Sequence, residues 1–282
     1  MKLNSPKIMT FVLIGALFFV VSSAYSETAE EYLKRGNTDA SQGNLTQAIY
    51  DFTKAIEIDP KYAKAYDYRG LAYIIKNDLT QAISDFTKAI EIDPNDAEAY
   101  NGRGSIYDKQ GKLTQAILDF SKAIEINSQF AAAYSGRGGA YDKQGNFAQA
   151  ISDCTKAIEI NPNRADTYSN RGLAYCKQGN LTQAISDCTK AIEINPKFAM
   201  AYTNRGLAYG IQGNITQAIS DFTKAIEIDP NDAEAYNNRG ISYYNAKEYN
   251  KAWADVHKAK ELGYAVNPKV LDTINKASGR QE

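Results

Sequence analysis

Arginine and aspartate recur at a fixed spacing along this 282-residue chain, and that regularity makes them the first candidates for chemistry. An arginine stands every 34 residues from Arg35 to Arg239, and an aspartate follows each one, from Asp51 to Asp255. A guanidinium binds a carboxylate through two parallel hydrogen bonds, and a row of free guanidiniums would bind anions. We expect a ladder of internal Arg–Asp pairs, and an anion-binding stripe is the alternative. The arginines are Arg35, Arg69, Arg103, Arg137, Arg171, Arg205 and Arg239.

The remaining reactive side chains are few. Cys154 and Cys188 occupy a repeated position where other segments have Phe or Val, so we expect small buried hydrophobes. Cys176 lies out of facing register with Cys188, so a disulfide between them would be strained, and three cysteines leave a free thiol. His257 is the single histidine and is expected on an exposed helix face. No glycine-rich phosphate loop, CxxC or HExxH motif occurs, so we predict no metal, no cofactor and no enzymatic activity.

The composition excludes several classes of protein. Charged residues make up 23% and hydrophobic residues 44%, which fits neither a disordered chain nor a multi-span membrane protein. The 32 basic and 33 acidic residues nearly cancel, so no basic excess favours nucleic acid or acidic lipid.

The first 24 residues have the pattern of a secretory signal. Lys2 and Lys7 precede an apolar run over 8–21, and Ser22, Ser23 and Ala24 supply small residues for cleavage after Ala24. A cut after Ser26 is the second choice, and an uncleaved signal anchored in the inner membrane is the alternative. The pattern predicts a periplasmic or secreted protein that leaves the membrane once the signal is removed.

The rest of the chain is one repeat. After a short lead over 25–28, it divides without insertion into seven blocks of 34 residues, and the segments Thr80–Asn101 and Thr216–Asn237 are identical. A fixed period of this length indicates stacked supersecondary units. A final stretch, 267–282, predicts a capping helix over 267–278 followed by a tail, with Asn267 and Pro268 at its start. The blocks are 29–62, 63–96, 97–130, 131–164, 165–198, 199–232 and 233–266.

Each block predicts two helices. Apolar or aromatic residues at block positions 4, 8 and 11 mark one helix face, and glycine at position 15, as in Gly145, suits a helix stop with positive φ. Asparagine or aspartate follows, as in Asn146, and is expected to cap the second helix. Proline at position 32, as in Pro162, ends that helix.

These positions together resemble the tetratricopeptide repeat. Tyrosine at position 4 and glycine at position 8 recur in all seven blocks, and alanine recurs at positions 20 and 27. The resemblance implies an all-α fold, a right-handed α-α superhelix or solenoid. It also implies that the first helices line a concave groove that binds a protein or peptide partner.

The resemblance further implies which side chains face the groove. Three successive asparagines at position 6 would form a ladder of amides able to bind a peptide backbone, and two more at position 5 would extend it. An apolar strip beside them would hold side chains of the ligand or pack against neighbouring helices. These candidates are Asn170, Asn204 and Asn238, then Asn101 and Asn237, and the strip Leu173, Leu207 and Ile241.

The sequence therefore predicts a monomeric protein–protein interaction scaffold that binds an extended peptide or a helix of its partner. The alternatives are an envelope-assembly factor for pili, outer-membrane proteins or polysaccharide, and a passive structural spacer. We expect no nucleic acid among its partners.

Overall fold

The computed structural model describes residues 27–280, so the predicted signal segment lies outside the described residues. Within that range the chain forms fifteen α-helices and no strand. None of these helices is both long enough and apolar enough to cross a membrane.

The helices come in pairs, and each 34-residue block holds one pair. The first helices of the seven pairs are α1 (Ala29–Ser41), α3 (Ala63–Ile75), α5 (Ala97–Lys109), α7 (Ala131–Lys143), α9 (Ala165–Lys177), α11 (Ala199–Gln212) and α13 (Ala233–Asn245). The second helices are α2 (Leu45–Ile58), α4 (Leu79–Ile92), α6 (Leu113–Ile126), α8 (Phe147–Ile160), α10 (Leu181–Ile194), α12 (Ile215–Ile228) and α14 (Tyr249–Glu261). A last helix, α15 (Pro268–Ser278), packs on α14.

The chain divides into two compact units, with the boundary between Gly102 and Arg103 inside α5. The helices that lie wholly within one unit each pack against the next one along the chain, and neighbouring first helices among them also contact each other. This consecutive packing of helix pairs confirms the predicted all-α class built from helical repeats.

Tight turns between the paired helices need a left-handed residue. Gly145 supplies it between α7 and α8 with φ of 82°. In the second repeat Asn77 takes the same place with φ of 60°, since asparagine tolerates this conformation better than most residues.

The predicted asparagine caps are corrected by the structure. Asn146, Asn180 and Asn214 stand at the N-cap position, but their side chains make no capping bond. Each amide donates instead to the glutamine two residues earlier, at 3.3, 2.8 and 2.7 Å. The Asp78 side chain at the same position has no N–H to donate. It does cap its helix, because its carboxylate accepts from the backbone N–H of Gln81 at 3.2 Å.

Small residues set how closely the paired helices approach. Ala150 and Ala157 on α8 are at most 1% exposed, and Gly138 on α7 faces the same helix. A Cβ at Gly138 would lie 2.8 Å from Cys154 Sγ and 3.2 Å from the carbonyl oxygen of Ala150. The glycine is therefore required by helix contact rather than by backbone conformation.

Candidate interaction surface

All seven arginines pair with an aspartate of the same repeat. In each pair Nε and Nη2 donate to the two carboxylate oxygens, as in Arg171 and Asp187 at 2.7 and 2.8 Å. The aspartates are buried, with Asp51 at 0% exposure and Asp187 at 8%. Hydrogen bonding by Asp187 raises the pKa of Arg171, so the guanidinium stays charged. The predicted Arg–Asp ladder is confirmed, and the alternative of a free anion-binding stripe is wrong because the donors are already used.

The same arginines also join one repeat to the previous one. Nη1 of Arg171 donates to Thr155 Oγ1 on the second helix of the preceding repeat, at 3.1 Å. Arg205 makes the equivalent bond to Thr189, also at 3.1 Å. The sequence analysis missed these hydroxyls, although a threonine or serine sixteen residues before the arginine is a regular signal. Other members of the set are Arg69 with Thr53, Arg137 with Ser121 and Arg239 with Thr223.

Removing one such hydroxyl should weaken the contact between repeats. We expect Thr189→Val to lower the free energy of unfolding by about 1–2 kcal/mol, because one donor of Arg205 loses its acceptor at nearly constant volume. Urea denaturation measures this. Thr182→Val, at an exposed threonine on the same helix, is the matched control and should change little. Equal losses in both variants would contradict the bridging role.

In each unit the first helices contact one another along the array, so they line one side of it. We call the side chains of these helices at block positions 2, 6, 9 and 13 the inner surface. Helix α11 has Met200, Asn204, Leu207 and Ile211 at these positions, and Met200, Leu207 and Ile211 form an apolar stripe at helical spacing.

The five candidate asparagines do not share one environment. Asn170 on α9 is half-buried, and its amide makes no hydrogen bond within residues 27–280. Asn238 on α13 is half-buried and accepts from Asn237 Nδ2 at 3.2 Å. Asn101, in the first unit, is half-buried. Asn170 and Asn238 therefore have the exposure that binding a peptide requires.

The structure buries Asn204 and Asn237, which corrects the prediction that their side chains face the groove. Asn204 is 6% exposed, and its Nδ2 donates to Ser169 Oγ at 3.0 Å on the preceding first helix. Asn237 is 7% exposed. The regular ladder of three equivalent amides is consequently absent, because the middle amide holds α9 and α11 together.

The apolar strip is half-buried. Leu207 packs against Cys176, Ala184 and Ala208, so it contributes to the contact between repeats as well as to the inner surface. Leu173 is also half-buried. Ile241 lines a cavity of about 300 Å³ against α15, beside Tyr244 and Val270.

Two ion pairs on the first helices were not predicted. Lys143 Nζ lies 2.7 Å from Asp108 Oδ2, and Lys177 Nζ lies 2.6 Å from Asp142 Oδ2, each pair joining consecutive repeats. These pairs neutralise the charges at one end of α5, α7 and α9. The four charged side chains of these pairs are consequently bound to one another across successive repeats.

The most exposed apolar side chains of the second unit's first helices lie on α11. Ile211 is 58% exposed and Met200 is 52% exposed, and both belong to the stripe that includes Leu207. These two side chains are therefore the apolar groups that the inner surface of this unit leaves most accessible to solvent.

The three cysteines are buried, and the histidine packs against an aromatic ring. Cys154 and Cys188 are fully buried, Cys176 is 3% exposed, and no disulfide joins them. Burial raises the pKa of Cys154 and of Cys188 to about 12, so neither forms a reactive thiolate. His257 stacks on Trp253 with ring centroids 4.0 Å apart. Within the described residues, no cluster of three or more His, Cys, Asp or Glu is placed to hold a metal.

The repeat geometry and the family comparisons agree. Four consecutive segments, 97–130, 131–164, 165–198 and 199–232, match the tetratricopeptide repeat model, and 36–74, 70–111 and 222–254 match further models of this repeat. The chain belongs to the tetratricopeptide repeat family.

Similar proteins of known sequence or structure are repeat proteins or contain a short matching segment. A tetratricopeptide repeat protein from Parabacteroides merdae is 21% identical, with a TM-score of 0.68 over 89% of this chain and 99% of that one. YrrB, a repeat protein described as having an unusual peptide-binding site, is 27% identical, with a TM-score of 0.52 over 70% and 97%. A protein SGT1 homolog from Oryza sativa is 42% identical over 64 residues, 23% of this chain and 17% of that protein. The chain thus spans less than a fifth of that relative.

Proposed function

We propose that this protein is a binding scaffold that holds an extended segment of a protein partner on the inner surface of its second unit. The observation that carries the proposal is the exposed apolar stripe on α11, with Ile211 at 58% and Met200 at 52% exposure. The recurrent charged residues, by contrast, are committed to pairs within the array. What is left for a partner is the variable set of inner side chains.

The stripe is flanked by amides that can bond a peptide backbone. Asn170 lies on α9 and Asn238 on α13, one repeat before and one repeat after α11. An amide both donates and accepts, so it can pair with the main chain of a segment whatever its side chains. Apolar side chains of the segment would contact Met200 and Ile211. YrrB, described as having an unusual peptide-binding site, is similar to this chain and supports the binding of a peptide in general.

A scaffold of this kind needs no chemistry of its own. Packing between repeats holds the inner surface in place before the partner binds, so little conformational entropy of the scaffold is lost on binding. The proposed location outside the cytoplasm depends on residues 1–24, and an envelope-assembly role or a spacer role stays a separate prediction.

Affinity capture with matched variants tests the proposal. The bait is the chain from Tyr25, run beside Ile211→Ser with Asn170→Ala on the inner surface, and beside Leu118→Ser on the second helix α6. Leu118 is 64% exposed, so its replacement removes a comparable apolar side chain. We expect the inner double variant to lose at least about tenfold in affinity for the captured partner, roughly 1.4 kcal/mol, and Leu118→Ser to keep it. Retention by all three baits would exclude the inner surface, and retention by none would favour a spacer.

A further inference from the structure

Asp67 is a buried carboxyl without a partner for one of its oxygens. It lies on α3 in the first unit, is 3% exposed, and its Oδ1 makes no hydrogen bond within the described residues. Burying an ionised carboxylate without a partner is costly, so such a group is stabilised by a proton or by a donor.

The chain contains a second copy of the segment that includes Asp96, and this copy shows how the equivalent aspartate is bonded. Thr80–Asn101 and Thr216–Asn237 are identical, so Asp96 in the first copy corresponds to Asp232 in the second. Asp232 Oδ1 accepts from the backbone N–H of Ala235 at 2.9 Å, and its Oδ2 accepts from Thr203 Oγ1 at 2.9 Å. Asp96 Oδ1 accepts from Ala99 in the same way, at 3.0 Å.

The two copies differ in the residue that meets the second carboxylate oxygen. Asp67 occupies in repeat two the position that Thr203 occupies in repeat six. Where the second copy has a hydroxyl donor and a carboxylate, the first copy has carboxyls at both of the corresponding positions. Two carboxyls placed as Thr203 and Asp232 are cannot both ionise readily, and a single proton between them supplies the hydrogen bond.

The charges around Asp67 favour retention of that proton. Burial, followed by Asp96 and Glu98, raises the pKa of Asp67 to about 7. No cation is among the groups that shift this pKa. The helices packed against α3 carry further charged residues, none of which is among the groups that shift this pKa. They are Glu30, Glu31, Lys34, Arg35 and Asp39 on α1, Asp51, Lys54 and Glu57 on α2, and Asp85, Lys88 and Glu91 on α4, beside Lys64 and Arg69 on α3 itself.

We propose that Asp67 and Asp96 share one proton at neutral pH, with protonated Asp67 donating to Asp96 as Thr203 donates to Asp232. The first unit thereby carries a pH-sensitive carboxyl pair beside its inner surface. Below neutral pH the pair holds one hydrogen bond and one negative charge. Above it the proton is lost, and two negative charges repel each other beside Glu98.

The direction of the pH effect follows from the raised pKa. The native pKa of Asp67, about 7, lies above the ordinary value of 3.8, so the native state holds the proton more tightly than the unfolded state does. The stabilisation is complete below the unfolded pKa and is lost as the pH rises through the native pKa. Acidification from pH 8 to pH 5 should therefore stabilise this unit.

Carboxyl-carbon NMR of the full chain tests the proposal directly. We expect one aspartate to titrate near pH 7 in the wild type and to be absent in Asp67→Thr, which recreates the pair of repeat six. Asp67→Asn is the second variant, in case Asp67→Thr does not fold. Thr203→Asp makes the converse change and should add a second carboxyl that titrates near neutral pH.

Thermal unfolding gives an independent readout. The melting temperature of the wild type should rise from pH 8 to pH 5 by at least about 5 °C more than that of Asp67→Thr. The proposal is overturned if every aspartate of the wild type titrates below about pH 5, the ordinary range for this side chain. It is equally overturned if the near-neutral titration persists in Asp67→Asn.

Discussion

Replacing Asp187 by alanine should destabilise the array more than any exposed charge substitution. The change leaves the Arg171 guanidinium, which is 17% exposed, without the carboxylate that accepts two of its hydrogen bonds. Removing one partner of a buried ion pair costs about 3–5 kcal/mol, because the remaining charge is left uncompensated. The bond from Arg171 to Thr155 also loses its fixed geometry, since the same guanidinium plane makes all three contacts.

A matched exposed pair lies on the same helix. Lys190 and Glu193 are 3.0 Å apart with side chains 51% and 60% exposed, so Glu193→Ala should change the free energy of unfolding by less than about 1 kcal/mol. Urea denaturation of both variants compares a buried with an exposed carboxylate. Arg171→Met combined with Asp187→Ala should recover part of the loss, because it removes the unpaired charge. Equal stability of the two single variants would contradict the account of the ladder.

Gly138→Ala and Gly139→Ala should change stability in opposite directions. At Gly138 a new Cβ would lie 2.8 Å from Cys154 Sγ and 3.2 Å from the Ala150 carbonyl oxygen, so the helices must separate. Overpacking of this kind costs about 1–3 kcal/mol. At Gly139 the nearest atom is Asn170 Nδ2 at 3.8 Å, an ordinary contact.

Replacing Gly139 by alanine should consequently stabilise α7 by up to about 1 kcal/mol, the difference in helix propensity. The two variants differ by one position in the chain and carry the same added methyl group, so each is the control for the other. Thermal or urea unfolding decides the signs. Destabilisation by both changes would show that α7 tolerates no side chain on either face.

Residues that recur in every repeat could be predicted from the sequence, because each one serves the same packing role seven times. Arg171 with Asp187 predicted an internal pair from their spacing alone, and the recurrent glycine at the position of Gly138 helped to identify the repeat. Both residues act through contacts within a single repeat. The threonine bridge was missed because it joins successive repeats, whose relative placement the block pattern does not specify.

Residues that vary between repeats were predicted less well, for a physical reason. Asn170 and Asn204 occupy the same block position, yet only Asn204 is buried. Each has a serine at the corresponding position one repeat earlier, Ser135 for Asn170 and Ser169 for Asn204. Asn204 Nδ2 donates to Ser169 Oγ, whereas Ser135 Oγ already accepts from Thr167 Oγ1, and the counterpart of Thr167 beside Asn204 is Ala201. An inner side chain is thus bonded or left unbonded according to its neighbours on both helices, and the asparagine ladder assumed identical neighbours.

Site-specific photo-crosslinking in cells tests the binding account most directly. A photoreactive amino acid is placed at Ile211, on the inner surface, or at Leu118, on α6, and these native side chains are 58% and 64% exposed. We predict that a partner protein is covalently captured from the position of Ile211 and not from that of Leu118. Capture of the same partner from Leu118 alone would place binding on the second helices and contradict the scaffold mechanism proposed for α11.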